Sequence, residues 1–174
     1  MNKTIKYIAW ICLLVYVSTC IGCENKSQSL PILKVITSSQ VGTTIFSTKY
    51  YYIVYENGKT KKTSEFQKSE VISFAFNPEA QEKDVPNLHD VDLNNPEEAK
   101  YNDAAAQIVS LIENDEKVYS PGELYVIDNK IYFKALRDYG INSCADTLYE
   151  YIPSDNKFKR IASFKGSITH VEAY

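Results

Sequence analysis

Histidine, arginine and cysteine are scarce in this sequence, and each shortage removes a class of chemistry. Two histidines and no Gly-x-Ser-x-Gly leave little from which to build a serine hydrolase. Four cysteines and two histidines are too few for a tetrahedral zinc site once the N-terminal cysteines are set aside. No G-x-x-x-x-G-K phosphate loop occurs. No excess of basic charge occurs either: the net charge is −3, which argues against nucleic-acid binding by bulk charge. No uncharged run reaches the ~20 residues a spanning helix needs, and no segment recurs at a fixed period.

One long uncharged run is present. After Lys3 and Lys6, the sixteen residues from Tyr7 to Gly22, YIAWICLLVYVSTCIG, carry no charge. A basic start, a short apolar stretch and small residues at its end are the layout of a secretory signal. An A-x-A-like cleavage site is missing, and CIGC stands in its place. This ending resembles the lipobox of bacterial lipoproteins, in which small residues precede a cysteine that becomes the new N-terminus. The resemblance implies that Cys23 carries the lipid, with Ile21 and Gly22 in lipobox positions and Cys20 where leucine is usual. Cys20 is the alternative acceptor, after a less suitable Thr19. The competing reading is an uncleaved anchor helix. Both place the rest of the chain on the extracytoplasmic face of the cell membrane.

Cleavage before Cys23 leaves 152 of the 174 residues, with 17 basic and 22 acidic side chains and a net charge of −5. That length suits one domain. Of the cysteines, only Cys144 then keeps a free thiol, so no internal disulfide is available and the core alone must supply stability. The expected organisation is a signal over 1–22, a lipidated cysteine and polar tether over 23–31, and a single domain over 32–174.

Fourteen tyrosines lean the composition toward strands. ILKVIT begins the folded part. Asn57-Gly58 predicts a type I′ hairpin, and EVISFAFNP reads as a strand. One helix is predicted from Pro96 onward, capped by Asn95, with Glu97 and Glu98 in its first turn. Tyr101, Ala104, Ala105, Ile108, Leu111 and Ile112 fall on one face of it. After Ser120-Pro121-Gly122 the pattern becomes β again, with a hairpin at Asp128-Asn129 and another at Pro153 to Asn156, so residues 123–164 read as four successive antiparallel strands. That segment resembles one blade of a kelch or TolB-like β-propeller in LYVIDNKIYF and LYEYIPSDNKFKRIASF, without the kelch diglycine or a second copy. It supports a meander and implies no binding site. The expected fold class is therefore α+β: mostly antiparallel meander sheets with one long amphipathic helix.

Three groups of residues are candidates for function. Asp90, Asp92 and Asn94 begin like a calcium loop, but Asn95 and Tyr101 stand where glycine and glutamate belong. A solvated loop leading into the helix explains them equally. Cys144 and His170 would need an orienting third group to act as nucleophile and base. Tyr50 and Tyr52 lie on one face of a strand, and Tyr51, Ile53 and Tyr55 on the other. Tyr50, Tyr52 and Tyr55 are a candidate binding surface, unless the helix covers the second face. No cofactor is expected. The function expected is that of a non-enzymatic interaction module, held on the membrane by lipid and binding a surface or envelope protein. An immunity or exclusion lipoprotein, and a cell-wall or extracellular hydrolase, are the alternatives.

Overall fold

The computed structural model describes residues 29–40, 47–77, 87–138 and 144–174. Cys23 lies outside these residues, as does the side chain of Cys144.

Two unbroken apolar stretches, Leu124 to Ile127 and Ile131 to Phe133, set the architecture. Side chains alternate across a strand, so an unbroken apolar run must be covered on both faces. These runs form the centre of a five-stranded antiparallel sheet. Its strands are β4 (Ile72–Ala75), β5 (Val118–Ile127), β6 (Lys130–Asp138), β7 (Cys144–Ile152) and β8 (Lys157–Ser163), in that spatial order. A second sheet packs on one face, with strands β1 (Pro31–Gln40), β2 (Ser47–Tyr55), β3 (Thr60–Thr63) and β9 (Ser167–Ala173) in the order β3-β2-β1-β9. The helix α1 (Pro96–Glu113) packs on the other face. The α+β class and its antiparallel meander are thus as the sequence reads.

Each layer boundary has its own apolar cluster. Between the sheets lie Leu33, Val35, Val54, Tyr125, Tyr132, Leu148, Ile168 and Val171. Under the helix lie Ala104, Ala105, Ile108, Leu124, Phe133 and Tyr149. Leu124 and Tyr125 are neighbours in sequence, yet each is buried in a different cluster. The alanines let α1 approach a stacked pair of rings, Phe133 and Tyr149, whose centroids are 5.2 Å apart, with Phe158 edge-on to both.

The helix starts where the sequence predicts. The Asn95 side chain accepts from the Glu97 N–H at 3.1 Å and its amide donates to Glu98 at 3.2 Å, a reciprocal cap. Asp128-Asn129 forms the hairpin expected there, and Asn57-Gly58 forms one of a different type from that expected. Asp128 and Asn129 both take positive φ, 49° and 61°, as a type I′ turn requires. At Asn57-Gly58 only Gly58 is positive, at 76°. The Gly58 N–H donates back to the Tyr55 carbonyl and the Tyr55 N–H to the Lys59 carbonyl, so this is a three-residue loop closed by a left-handed glycine. A Cβ on Gly58 would also sit 2.9 Å from the Ile161 carbonyl oxygen, which ties the hairpin tip to β8.

Two further expectations need correction. Ser120-Pro121-Gly122 does not end one segment and start another. Strand β5 runs through it from Val118, with irregularities on either side of Pro121. A bulge absorbs the proline and the positive φ of Ser120 while the ladder resumes beyond. The helix does not cover the second face of β2, because it packs on the other sheet. That face meets the segment after β3 instead, where Phe66 stands edge-on to Tyr51 at 5.3 Å.

Ile108 is fully buried and Ile72 is largely exposed. Ile108→Ala should therefore cost ~2–5 kcal/mol in denaturant unfolding, and Ile72→Ala only a few tenths, about the usual surface effect. A loss below about 1 kcal/mol at Ile108 would mean that the helix is not seated on the sheet as described.

Candidate functional site: an apolar groove beside the helix

Antiparallel register places side chains in rows across a sheet. One row of the five-stranded sheet runs Phe74, Leu124, Phe133, Tyr149, and its last three members are buried under α1. The next row on the same face runs Ile72, Val126, Ile131, Tyr151, Phe158 through successive strand pairs. It is apolar on all five strands, but the helix covers it only in part. Val126, Ile131 and Phe158 are half-buried and Ile72 is 55% exposed.

The uncovered middle of this row is the floor of a groove of about 500 Å³. Tyr101 and Ala104 of α1 form its wall, and Lys100, Asp103 and Gln107 its polar rim. Asn129 and Pro153 are also at its margin. Tyr101 packs against Phe74 at 6.0 Å, and the Tyr151 hydroxyl donates to Asn156 Oδ1 at 3.2 Å. An apolar floor with a few polar groups at the rim is the usual make-up of a recognition site. Its lining residues include no histidine and no cysteine, and Asp103 is their one carboxylate.

The expected site residues lie elsewhere. Tyr52 is built into the cluster between the sheets, 5.3 Å from the ring of Phe164. Tyr50 is half-buried, with the Lys62 ammonium 4.0 Å from its ring centroid. Tyr55 lies on the opposite face of β2 at the base of the hairpin. The three tyrosines therefore form no common surface. Asp92 accepts from the Asn94 N–H at 2.9 Å and Asn95 caps the helix, so those groups shape the approach to α1, while Asp90 is exposed. Among the described residues no three His, Cys, Asp or Glu side chains converge as metal ligands. Reasoning from periodicity misses the groove because its floor, Val126, Ile131 and Tyr151, is assembled from three strands by register alone.

Two polar clusters invite a catalytic reading and are better explained as clamps. On the outer face of the four-stranded sheet, Glu172 is buried and accepts from Lys34 Nζ at 3.1 Å and the Ser69 N–H at 2.7 Å, with His170 Nε2 2.9 Å away. Together these fasten the segment after β3 to β9. Burial pushes the Glu172 carboxyl up, but the hydrogen bonds from Ser69, His170 and Lys34 outweigh it and hold it below the ordinary glutamate range. Between the sheets, Glu123 accepts from the Tyr125 hydroxyl at 2.9 Å and from Lys134 at 3.1 Å. Lys134 also donates to the Ile168 carbonyl at 2.8 Å, and Asp146 accepts from the Ile168 N–H at 2.7 Å. These bonds stitch β9 to the five-stranded sheet. Burial raises the Asp146 carboxyl despite that N–H and Lys134.

No protein-family model matches the chain, and neither curated proteins nor solved structures supply a significant match. No helix among the described residues is long and apolar enough to cross a membrane.

The Glu172 clamp has a definite pH signature. A carboxyl held below its unfolded value contributes stability above that value and loses it as pH falls through the folded one. Glu172→Gln should cost about 1.5–3 kcal/mol at neutral pH, as for hydrogen bonds to a charged group. The gap from wild type should close as pH falls below the ordinary glutamate value of 4.5. A gap that stays constant down to acid unfolding would remove the ionised Glu172 from the account.

Proposed function

We propose that the chain is a lipid-anchored, extracytoplasmic lipoprotein whose folded domain is a non-enzymatic binding module. Its groove between α1 and the Val126–Ile131–Tyr151 row takes apolar side chains from an amphipathic segment of another surface or envelope protein. The observation that carries the reading is the partly uncovered row: a half-covered apolar floor with a charged rim suits helix-in-groove recognition. The lipobox-like CIGC at Cys20 to Cys23 supports the anchor. Ser29 and Leu30 leave the fold beside the β2–β3 turn, where the Glu56 N–H donates to the Leu30 carbonyl at 3.0 Å and the Asn57 N–H to Ser29 Oγ at 3.1 Å.

One experiment separates the two parts of this reading. Cells expressing wild type, Cys23→Ala, Ile131→Glu or Gln107→Trp are labelled with a palmitate analogue, and the chain is then captured from detergent-solubilised envelopes. Labelling should vanish only in Cys23→Ala. A co-captured envelope protein should be lost about tenfold or more in both groove variants, since an unpaired carboxylate in an apolar groove costs more than ~1.4 kcal/mol. Gln107→Trp fills the groove from its exposed rim and leaves the core untouched. Labelling that persists without Cys23 would move the lipid to Cys20 or remove it. A partner retained by both groove variants would reject the groove.

A further inference from the structure

A sheet edge presents unpaired N–H and C=O groups, and charged side chains along it discourage another strand from adding there. Three of the four edge strands carry ionisable side chains. Strand β3 has Lys61 and Lys62, β8 has Lys157, Lys159 and Arg160, and β9 has His170 and Glu172. The fourth edge, β4, reads Ile72-Ser73-Phe74-Ala75 and has none. It is also open to solvent: Ser73 and Ala75 are exposed, and so is Ile72.

The partners of β4 show which way its backbone groups point. The Phe76 N–H donates to the Gly122 carbonyl at 3.2 Å, toward β5. On the opposite side the His89 N–H donates to the Ala75 carbonyl and the Asn77 N–H to the Asn87 carbonyl, both at 2.9 Å. These bonds close the C-terminal end of the edge. Backbone groups alternate sides along an antiparallel strand. Those of Ser73, and of Val71 just before β4, therefore point away from β5, and no described residue bonds them. A recess of about 560 Å³, lined by Glu70, Val71 and Ile72, opens at the same place.

We propose that this edge pairs with the same edge of a second copy of the chain. The edge is self-complementary. Its outward residues, Val71 and Ser73, are two apart, so an antiparallel two-fold centred on Ile72 sets Val71 of each copy opposite Ser73 of the other. Both pairs exchange N–H···O bonds in each direction. Ile72 meets its own counterpart at the non-hydrogen-bonded position, where side chains approach most closely. The row Ile72, Val126, Ile131, Tyr151, Phe158 then runs from one copy into the other, and the exposed Ile72 is covered. No like charges oppose each other in this register. Glu70, the nearest ionisable group, falls opposite Phe74 rather than its own counterpart. A two-fold through β3 or β8 would instead set cations against cations, and like charges directly opposite are unfavourable. The ladder stops at Ala75, whose carbonyl His89 already occupies. Specific interfaces bury roughly 1,200–2,000 Å². A ladder this short lies at the low end, so the pairing is reversible.

The test is oxidative cross-linking of the full chain in mild detergent. Across a two-fold at Ile72 the two Cα atoms are ~4.5 Å apart, within the ~4.4–6.8 Å that a disulfide spans. Ile72→Cys should link copies several-fold faster than the parent chain. Glu70→Cys is also exposed, but its two copies lie roughly 13 Å apart along the ladder at ~3.3 Å per residue, so it should link no faster than the parent. The sedimenting mass of the unsubstituted chain should rise with concentration. That rise should be lost in Ser73→Pro, which removes an outward N–H and leaves the β5 ladder intact, and in Ile72→Lys, which sets like charges opposite each other without touching the core. A mass independent of concentration, or equal linking by Ile72→Cys and Glu70→Cys, would overturn the proposal. Self-association that survives both Ser73→Pro and Ile72→Lys would put the contact elsewhere and overturn it as well. A monomer whose Ser73 amide is nonetheless protected from hydrogen exchange would mean that another segment of the same chain covers the edge, and would overturn the assignment to a second copy.

Discussion

Burial of the five-stranded sheet on both faces is the constraint from which the rest of the structure follows. Leu124, Tyr125, Phe133, Leu148 and Tyr149 are almost wholly removed from water. They point alternately toward the second sheet and toward α1. Neither covering layer is optional, because each buries apolar surface that would otherwise face solvent. The second sheet is held by more than apolar contact. Lys134 and Asp146 reach across to the backbone of Ile168, so β9 is bonded both to its own sheet and to the one beneath.

The groove is the residue of that arrangement. A helix of eighteen residues lies across a sheet five strands wide, and it covers the row through Leu124 and Phe133 better than the row through Val126 and Ile131. What remains is an apolar floor at the helix margin. The structure thus separates its tasks in space: the clusters that resemble catalytic sites, around Glu172 and Glu123, are occupied in holding layers together. The half-covered row stays open at the helix margin.

The parts of this fold that were legible in the sequence are local. Asn95-Pro96-Glu97-Glu98 announces the helix because capping and dipole effects act within one turn. Asp128-Asn129 announces its hairpin because two residues suffice to define the turn. The parts that were not legible depend on partners far along the chain. Strand β9 pairs with β1 across more than a hundred residues, and nothing in ILKVIT identifies SITHVEA as its neighbour. Asn57-Gly58 forms a different turn from the one predicted, with the glycine packed on β8. A period-2 pattern puts Tyr52 and Tyr55 on opposite faces without saying which face is core, and the packing of Phe164 against Tyr52 decides it. The groove was invisible for the same reason, since register across the sheet creates its floor.

Native-state hydrogen exchange tests the central claim most directly. If the doubly covered sheet is the frame, the amides of Phe133 in β6 and Leu148 in β7 should exchange only through global unfolding. Their opening free energy should equal the stability measured by denaturant, while β3 and β4 open at lower cost. Exchange of Phe133 and Leu148 through local opening, at a free energy below that of Val35 in β1, would contradict the account and make the four-stranded sheet the stable unit.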